Sequence, residues 1–147
     1  MTDQSFRTTF TVKQSPAEVF AAIIDVRAWW SGDIDGRTDA PGAEFTYRYE
    51  DVHYSRQRIT ELAPGRRVAW RVEEARLSFT DDPAEWTGTE IVFDVVGTDR
   101  GTEVTFTHLG LVAAFECFDA CSNAWGHYVG RLQRLIATGR SEPAEVA

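Results

Sequence analysis

The chain has 147 residues, enough for one domain with a proper core, and its 43% hydrophobic and 26% charged residues match an ordinary soluble globular protein. Its 15 basic residues against 23 acidic ones leave a net charge of −8, which argues against a nucleic-acid or anionic-membrane partner. No apolar run approaches the ~20 residues that span a bilayer. The start, MTDQSFRTTF, lacks a signal peptide's basic and apolar stretches, and two cysteines make no disulfide scaffold, so the chain reads as cytoplasmic.

Residues 5–13 alternate, with Phe6, Thr8, Phe10 and Val12 on one face, as in a half-buried strand. SPAEVFAAIID follows as a helix start: Ser15 caps, Pro16 takes the first helical position, and Glu18 completes a capping box. VRAWW reads as a second short helical turn before the Ser31-Gly32 breaker. From there to about residue 109 the period is two. AEFTYRYE aligns Phe45, Tyr47 and Tyr49; VHYSRQRITEL is another strand; RRVAWRVEEA aligns Val68, Trp70 and Val72. TEIVFDVVG aligns Ile91, Phe93 and Val95, TDRG makes a tight hairpin, and TEVTFTH aligns Val104, Phe106 and His108. Short turns make these six strands mostly antiparallel. The connection over 77–88 fits either a seventh short strand or a loop. A long helix over about 115–138 comes last, ended by Gly139, with residues 141–147 as a flexible tail.

Both cysteines and two of the three histidines fall in FTHLGLVAAFECFDACSNAWGHYVGRLQRLI, which raises a metal or redox centre. At ~100° per residue, Cys117 and Cys121 share the last helix's apolar stripe with Trp125, Tyr128, Val129 and Leu132, while His127 faces away. Residues i and i+4 have Cβ atoms roughly 5–6 Å apart, too far for a disulfide. A closed zinc site wants four ligands, and no fourth is evident. The cysteines therefore read as packing residues, with no metal and no cofactor. His108 has the inward parity and points toward this helix. It is either anchored to backbone where the strand ends or presented to a ligand.

The chain has no G-x-S-x-G elbow, P-loop, G-x-G-x-x-G or H-E-x-x-H. The adjacent acids Asp81/Asp82 and Glu73/Glu74 suit solvent or a turn better than a shared proton, and Asp94 has outward parity. The stronger signal is aromatic: 12% of the chain, with 5 Trp and 9 Phe. Trp29, Trp30, Phe45, Tyr47, Tyr49, Trp70, Trp86, Phe93, Phe106, Trp125 and Tyr128 mostly hold inward parities. They either fill a core or line a pocket that is apolar with a few polar tips.

The succession SPAEVFAAI, AWW, PGAEFTYRY, RITELAPGRRVAW, TGTEIVFDV and GTEVTFTHLGL with the final helix resembles the START-like (SRPBCC) superfamily, in the branch similar to the activator of heat-shock chaperone ATPase. The likeness covers about residues 5–140 and makes residues 1–140 a single START-like domain. It implies an α+β helix-grip fold: a curved six- to seven-stranded antiparallel sheet wrapped around a long C-terminal helix, with two short helices after the first strand. It also implies a cavity between sheet and helix for an apolar or amphipathic small molecule, but no fixed catalytic set, since relatives include cyclases, dehydratases and binders of lipids or hormones. The eukaryotic co-chaperone has an additional N-terminal domain, for which this chain has no room, so chaperone activation is not carried over.

The expected function is small-ligand binding by Trp30, Tyr47, Trp70, Phe93, Phe106, His108, Cys121, Trp125 and Tyr128, with His108 and the tyrosine hydroxyls orienting a polar group. One alternative is a cyclase, dehydratase or hydrolase using the same pocket, with His108 as acid or base. The other is a chaperone-type interaction module, which requires a filled core and an exposed apolar patch. A protein partner or a homodimer is left open.

Overall fold

A computed structural model describes residues 5–30, 33–50, 53–78, 86–111 and 118–138. Cys117, Asp81, Asp82, the Ser31-Gly32 pair, Gly139 and the 141–147 tail, all singled out above, lie outside these ranges.

The first strand, β1 (Phe6–Val12), leads into α1 (Pro16–Ile24) through the capping box that the sequence predicts. Ser15 Oγ accepts from the Glu18 N–H at 3.2 Å, and Glu18 Oε1 accepts from the Ser15 N–H at 3.0 Å. Two of the helix's orphan N-terminal donors are thereby satisfied. A single 3-10 turn over Val26–Ala28 then delivers Trp29 and Trp30 into the interior.

Six further strands follow: β2 (Asp33–Gly36), β3 (Glu44–Tyr49), β4 (His53–Ala63), β5 (Arg67–Leu77), β6 (Glu90–Thr98) and β7 (Gly101–Leu109). Their order in one antiparallel sheet is β1-β7-β6-β5-β4-β3-β2, a meander closed by β1 returning beside β7. The long helix α2 (Phe118–Thr138) buries Cys121, Trp125, Val129, Leu132 and Ile136. The architecture is the α+β helix-grip fold, a curved seven-stranded sheet with a C-terminal helix and a short helix after the first strand.

The seventh strand is β2, where the sequence signal is weakest. DIDG is four residues long, carries one apolar side chain and pairs only as an edge with β3, so it has no alternation to detect. Meanwhile β5 runs on to Leu77, and its register against β4 shifts between Arg56 and Gln57. A bulge of this kind bends the strand and increases its twist. It also resets which β5 residues face inward, so that Val72 opposes Gln57 and Ala75 opposes Ser55.

The core between sheet and helices is built of rings. Trp29 and Trp70 are fully buried and parallel at 6.3 Å, with Phe93 edge-on to both. Aromatic pairs in such offset or edge-to-face arrangements add about 0.5–1.5 kcal/mol each beyond their burial. The outer face is held by exposed ion pairs such as Arg56 with Glu44 and Arg67 with Asp94, which contribute little each.

Candidate functional site

At one end of the sheet the rings part to leave a cleft of about 180 Å³. A cavity of about 150 Å³ holds benzene, so this volume suits one substituted ring. One wall is α2, where Ala120, Cys121, Ala124, Trp125 and Tyr128 share a helical face. The other is formed by Tyr47 and Tyr49 of β3, His53 of β4, Trp30 after the 3-10 turn, and Trp86 just before β6. Trp30 stacks on Tyr47 at 4.1 Å, Trp86 lies parallel to Trp125 at 5.8 Å, and Trp30 meets Trp125 at 5.2 Å. No Lys, Arg, Asp or Glu lines the cleft among the described residues.

Behind this wall His108 organises two of its tryptophans. Trp125 Nε1 donates to His108 Nδ1 at 3.0 Å. An indole nitrogen can only donate, so Nδ1 accepts and the ring proton resides on Nε2. That proton goes to Thr89 Oγ1 at 2.8 Å, and Thr89 Oγ1 donates in turn to the Trp86 carbonyl at 2.6 Å. Every polar atom of this relay is paired, which is what a buried network requires. His108 has no exposed surface, and desolvation by burial, with a smaller contribution from nearby His53, lowers its pKa to about 3. It is a neutral imidazole holding Trp125 and the Trp86 backbone, with both ring nitrogens already engaged.

His53 differs. Its ring packs edge-to-face with Tyr47 at 4.9 Å and with Trp86 at 4.5 Å, and burial lowers its pKa to about 4. Yet its Nε2 is buried without a partner, and so is Trp86 Nε1. The same inward row of β4 continues with Ser55 and Gln57, both fully buried, whose hydroxyl and both amide atoms also lack partners. Of the cleft's lining, His53 Nε2 and Trp86 Nε1 are thus the unpartnered buried nitrogens, while the helix side offers alanines and a cysteine beside Trp125 and Tyr128.

Of the nine residues assigned to the pocket from sequence, Trp30, Tyr47, Cys121, Trp125 and Tyr128 come together around the cleft. Trp70, Phe93, Phe106 and His108 do not line it; each is fully buried. Parity shows which face a side chain takes but not its depth: Trp70 lies against Trp30 of the cleft wall, and Trp29 packs on both Trp70 and Phe93. The acid-or-base role considered for His108 is corrected on the same ground: it is neutral, engaged at both nitrogens and behind the wall. His127, read as facing away from the cysteines, is exposed. Sequence reasoning missed His53, although a signal existed. In VHYSRQRITEL, Tyr54, Arg56 and Arg58 take the outer parity, which forces His53, Ser55, Gln57 and Ile59 inward. Trp86 and Tyr49 were counted among the rings but not placed at the pocket.

The family described as activator of Hsp90 ATPase homolog 1-like protein matches residues 13–137, which is most of the chain. The chain belongs to that family. Three solved structures share the family-type fold at 23%, 20% and 15% identity. The Aha1 dimer from Colwellia psychrerythraea superposes with a TM-score of 0.75, over 96% of this chain and all of that one. DynU16, from the dynemicin biosynthetic locus, gives 0.70 over 95% of this chain and 49% of its own. MLL2253 from Mesorhizobium loti gives 0.73 over 90% and 96%. Functionally curated proteins return no match. Among the described residues no helix is long and apolar enough to cross a membrane, and no group of three or more His, Cys, Asp and Glu side chains could hold a metal ion.

Proposed function

We propose that this protein of the Hsp90 ATPase activator homolog family binds an uncharged apolar or amphipathic small molecule in the cleft between the sheet and α2. The observation that carries this reading is the cleft itself: about 180 Å³, walled by rings on both sides and free of charged side chains among the described residues. Concave, mostly apolar sites with a few polar groups are the usual form of small-molecule sites. Catalysis on the same cleft has less support, because His108 is tied up in structure and His53 is the titratable imidazole left in the wall. An interaction module would need an exposed apolar patch. Among the described residues, Tyr49 and Val96 are the large hydrophobics that are exposed, and they lie on different strands.

Three of the five tryptophans line the cleft, so occupancy should register in intrinsic fluorescence. Titration with single-ring aromatic compounds should give saturable changes. An Ala124→Trp variant, which fills the cleft from the exposed helix face, should abolish them while keeping the fold by circular dichroism. No saturable change with any such compound, or an unchanged response in A124W, would overturn the assignment.

A further inference from the structure

We propose that Trp86 Nε1 and His53 Nε2 form a polar reading pair at one side of the cleft, and that the ligand is an uncharged aromatic alcohol or phenol whose hydroxyl bridges them. This rests on the cleft being a ligand site. Both nitrogens belong to residues of the cleft wall, and both are buried without a hydrogen-bond partner. Trp86 is only 3% exposed, so its N–H is withdrawn from bulk water. A buried donor left unpaired is destabilising, and native structures keep few of them. The two rings meet edge-to-face with centroids 4.5 Å apart, so the two residues are neighbours in the cleft wall.

The chemistry selects the group. An indole can only donate, so the ligand atom facing Trp86 must accept. A hydroxyl oxygen accepts there and still has its own proton for an imidazole nitrogen. An anion would meet no cation in the lining, because the described residues place no Lys or Arg there and burial keeps His53 neutral. An ammonium group would meet no carboxylate among the described residues of the lining. The aromatic part of the ligand belongs against Ala120, Cys121 and Ala124, the apolar wall opposite. Trp86 is also held in place. Its ring lies parallel to Trp125 within 12°, and its carbonyl accepts from both the N–H and the hydroxyl of Thr89, at 3.0 and 2.6 Å.

The test compares p-cresol, p-xylene and 4-methylbenzoate by calorimetric titration at pH 7.5. The first two have nearly the same shape and differ by a hydroxyl for a methyl. In a cleft without hydrogen-bonding groups p-xylene binds more tightly, because p-cresol gives up its water and receives nothing. The reading pair reverses that order, with p-cresol about ten-fold tighter in the wild type. The preference should fall within about three-fold in Trp86→Phe and in His53→Phe, each of which keeps a ring and removes the nitrogen. Binding of p-xylene in preference to p-cresol would overturn the inference and leave the cleft reading standing. So would a full preference surviving in both variants, or 4-methylbenzoate binding as tightly as p-cresol. If no compound binds, both proposals fall. Should W86F not fold, the wild-type order and H53F decide.

Discussion

Acidification should destabilise this protein through His53 and His108. Burial lowers the pKa of His53 to about 4 and that of His108 to about 3, from 6.5 in the unfolded chain. The folded state therefore keeps both rings neutral where the unfolded state takes up a proton on each. The sign follows: their contribution is complete above pH 6.5, declines as pH falls, and levels off below about 4 for His53 and about 3 for His108. Between pH 6 and 5 each histidine removes about 1.2 kcal/mol of stability, or about 2.4 kcal/mol together, a large share of a typical domain's margin. The measurement is urea unfolding of the wild type and His53→Phe at both pH values. Phenylalanine preserves a ring against Tyr47 and Trp86 but cannot titrate. The variant should lose about half of the histidine-linked stability that the wild type loses across that unit. Carboxylate effects are common to both proteins and cancel in the difference. Equal losses in the two proteins would refute the assignment of His53 as a buried neutral group.

Thr89→Val keeps the shape of residue 89 but leaves the Nε2 proton of His108 and one lone pair of the Trp86 carbonyl without their partner. Chemical denaturation should show a loss of about 1–3 kcal/mol. Gln57→Leu should do the opposite. Both amide atoms are buried and unpartnered, so an apolar side chain of similar size should raise stability by about 1 kcal/mol or more, read as a higher urea midpoint with unchanged slope. A loss on Q57L would show that the amide is satisfied in solution. Gly110→Ala should lower the melting temperature: its φ is +98°, and a Cβ there would lie 2.9 Å from Thr89 Cγ2, pressing on the residue that links His108 to Trp86.

Much of this could be read from local pattern. Period-two runs placed β1 and β3 to β7, and Ser15-Pro16-Glu18 placed the start of α1. The apolar stripe of the last helix separated Cys121 from His127, because which face a side chain takes depends only on its neighbours along the chain. That same information put Trp30, Tyr47, Cys121, Trp125 and Tyr128 on inward faces, where the cleft is found.

Depth and pairing were decided elsewhere. Trp70, Phe93 and Phe106 have the same parity as Tyr47, yet they sit under other rings: Trp29 and Trp30 pack on Trp70, Trp29 on Phe93, and Trp125 on Phe106. His108 lies 17 residues before its donor Trp125 and 19 after its acceptor Thr89. No spacing rule joins three residues on a strand, a turn and a helix. His53 became a cleft residue because β3 and β4 pair to set it across from Tyr49 and beside Tyr47, a juxtaposition made by sheet register. The amino-acid sequence by itself determined which faces are apolar, through periodicities of 2 and 3.6. The tertiary structure decided which inward groups are buried, paired or left facing a cleft, because those properties arise from contacts between segments distant in the chain.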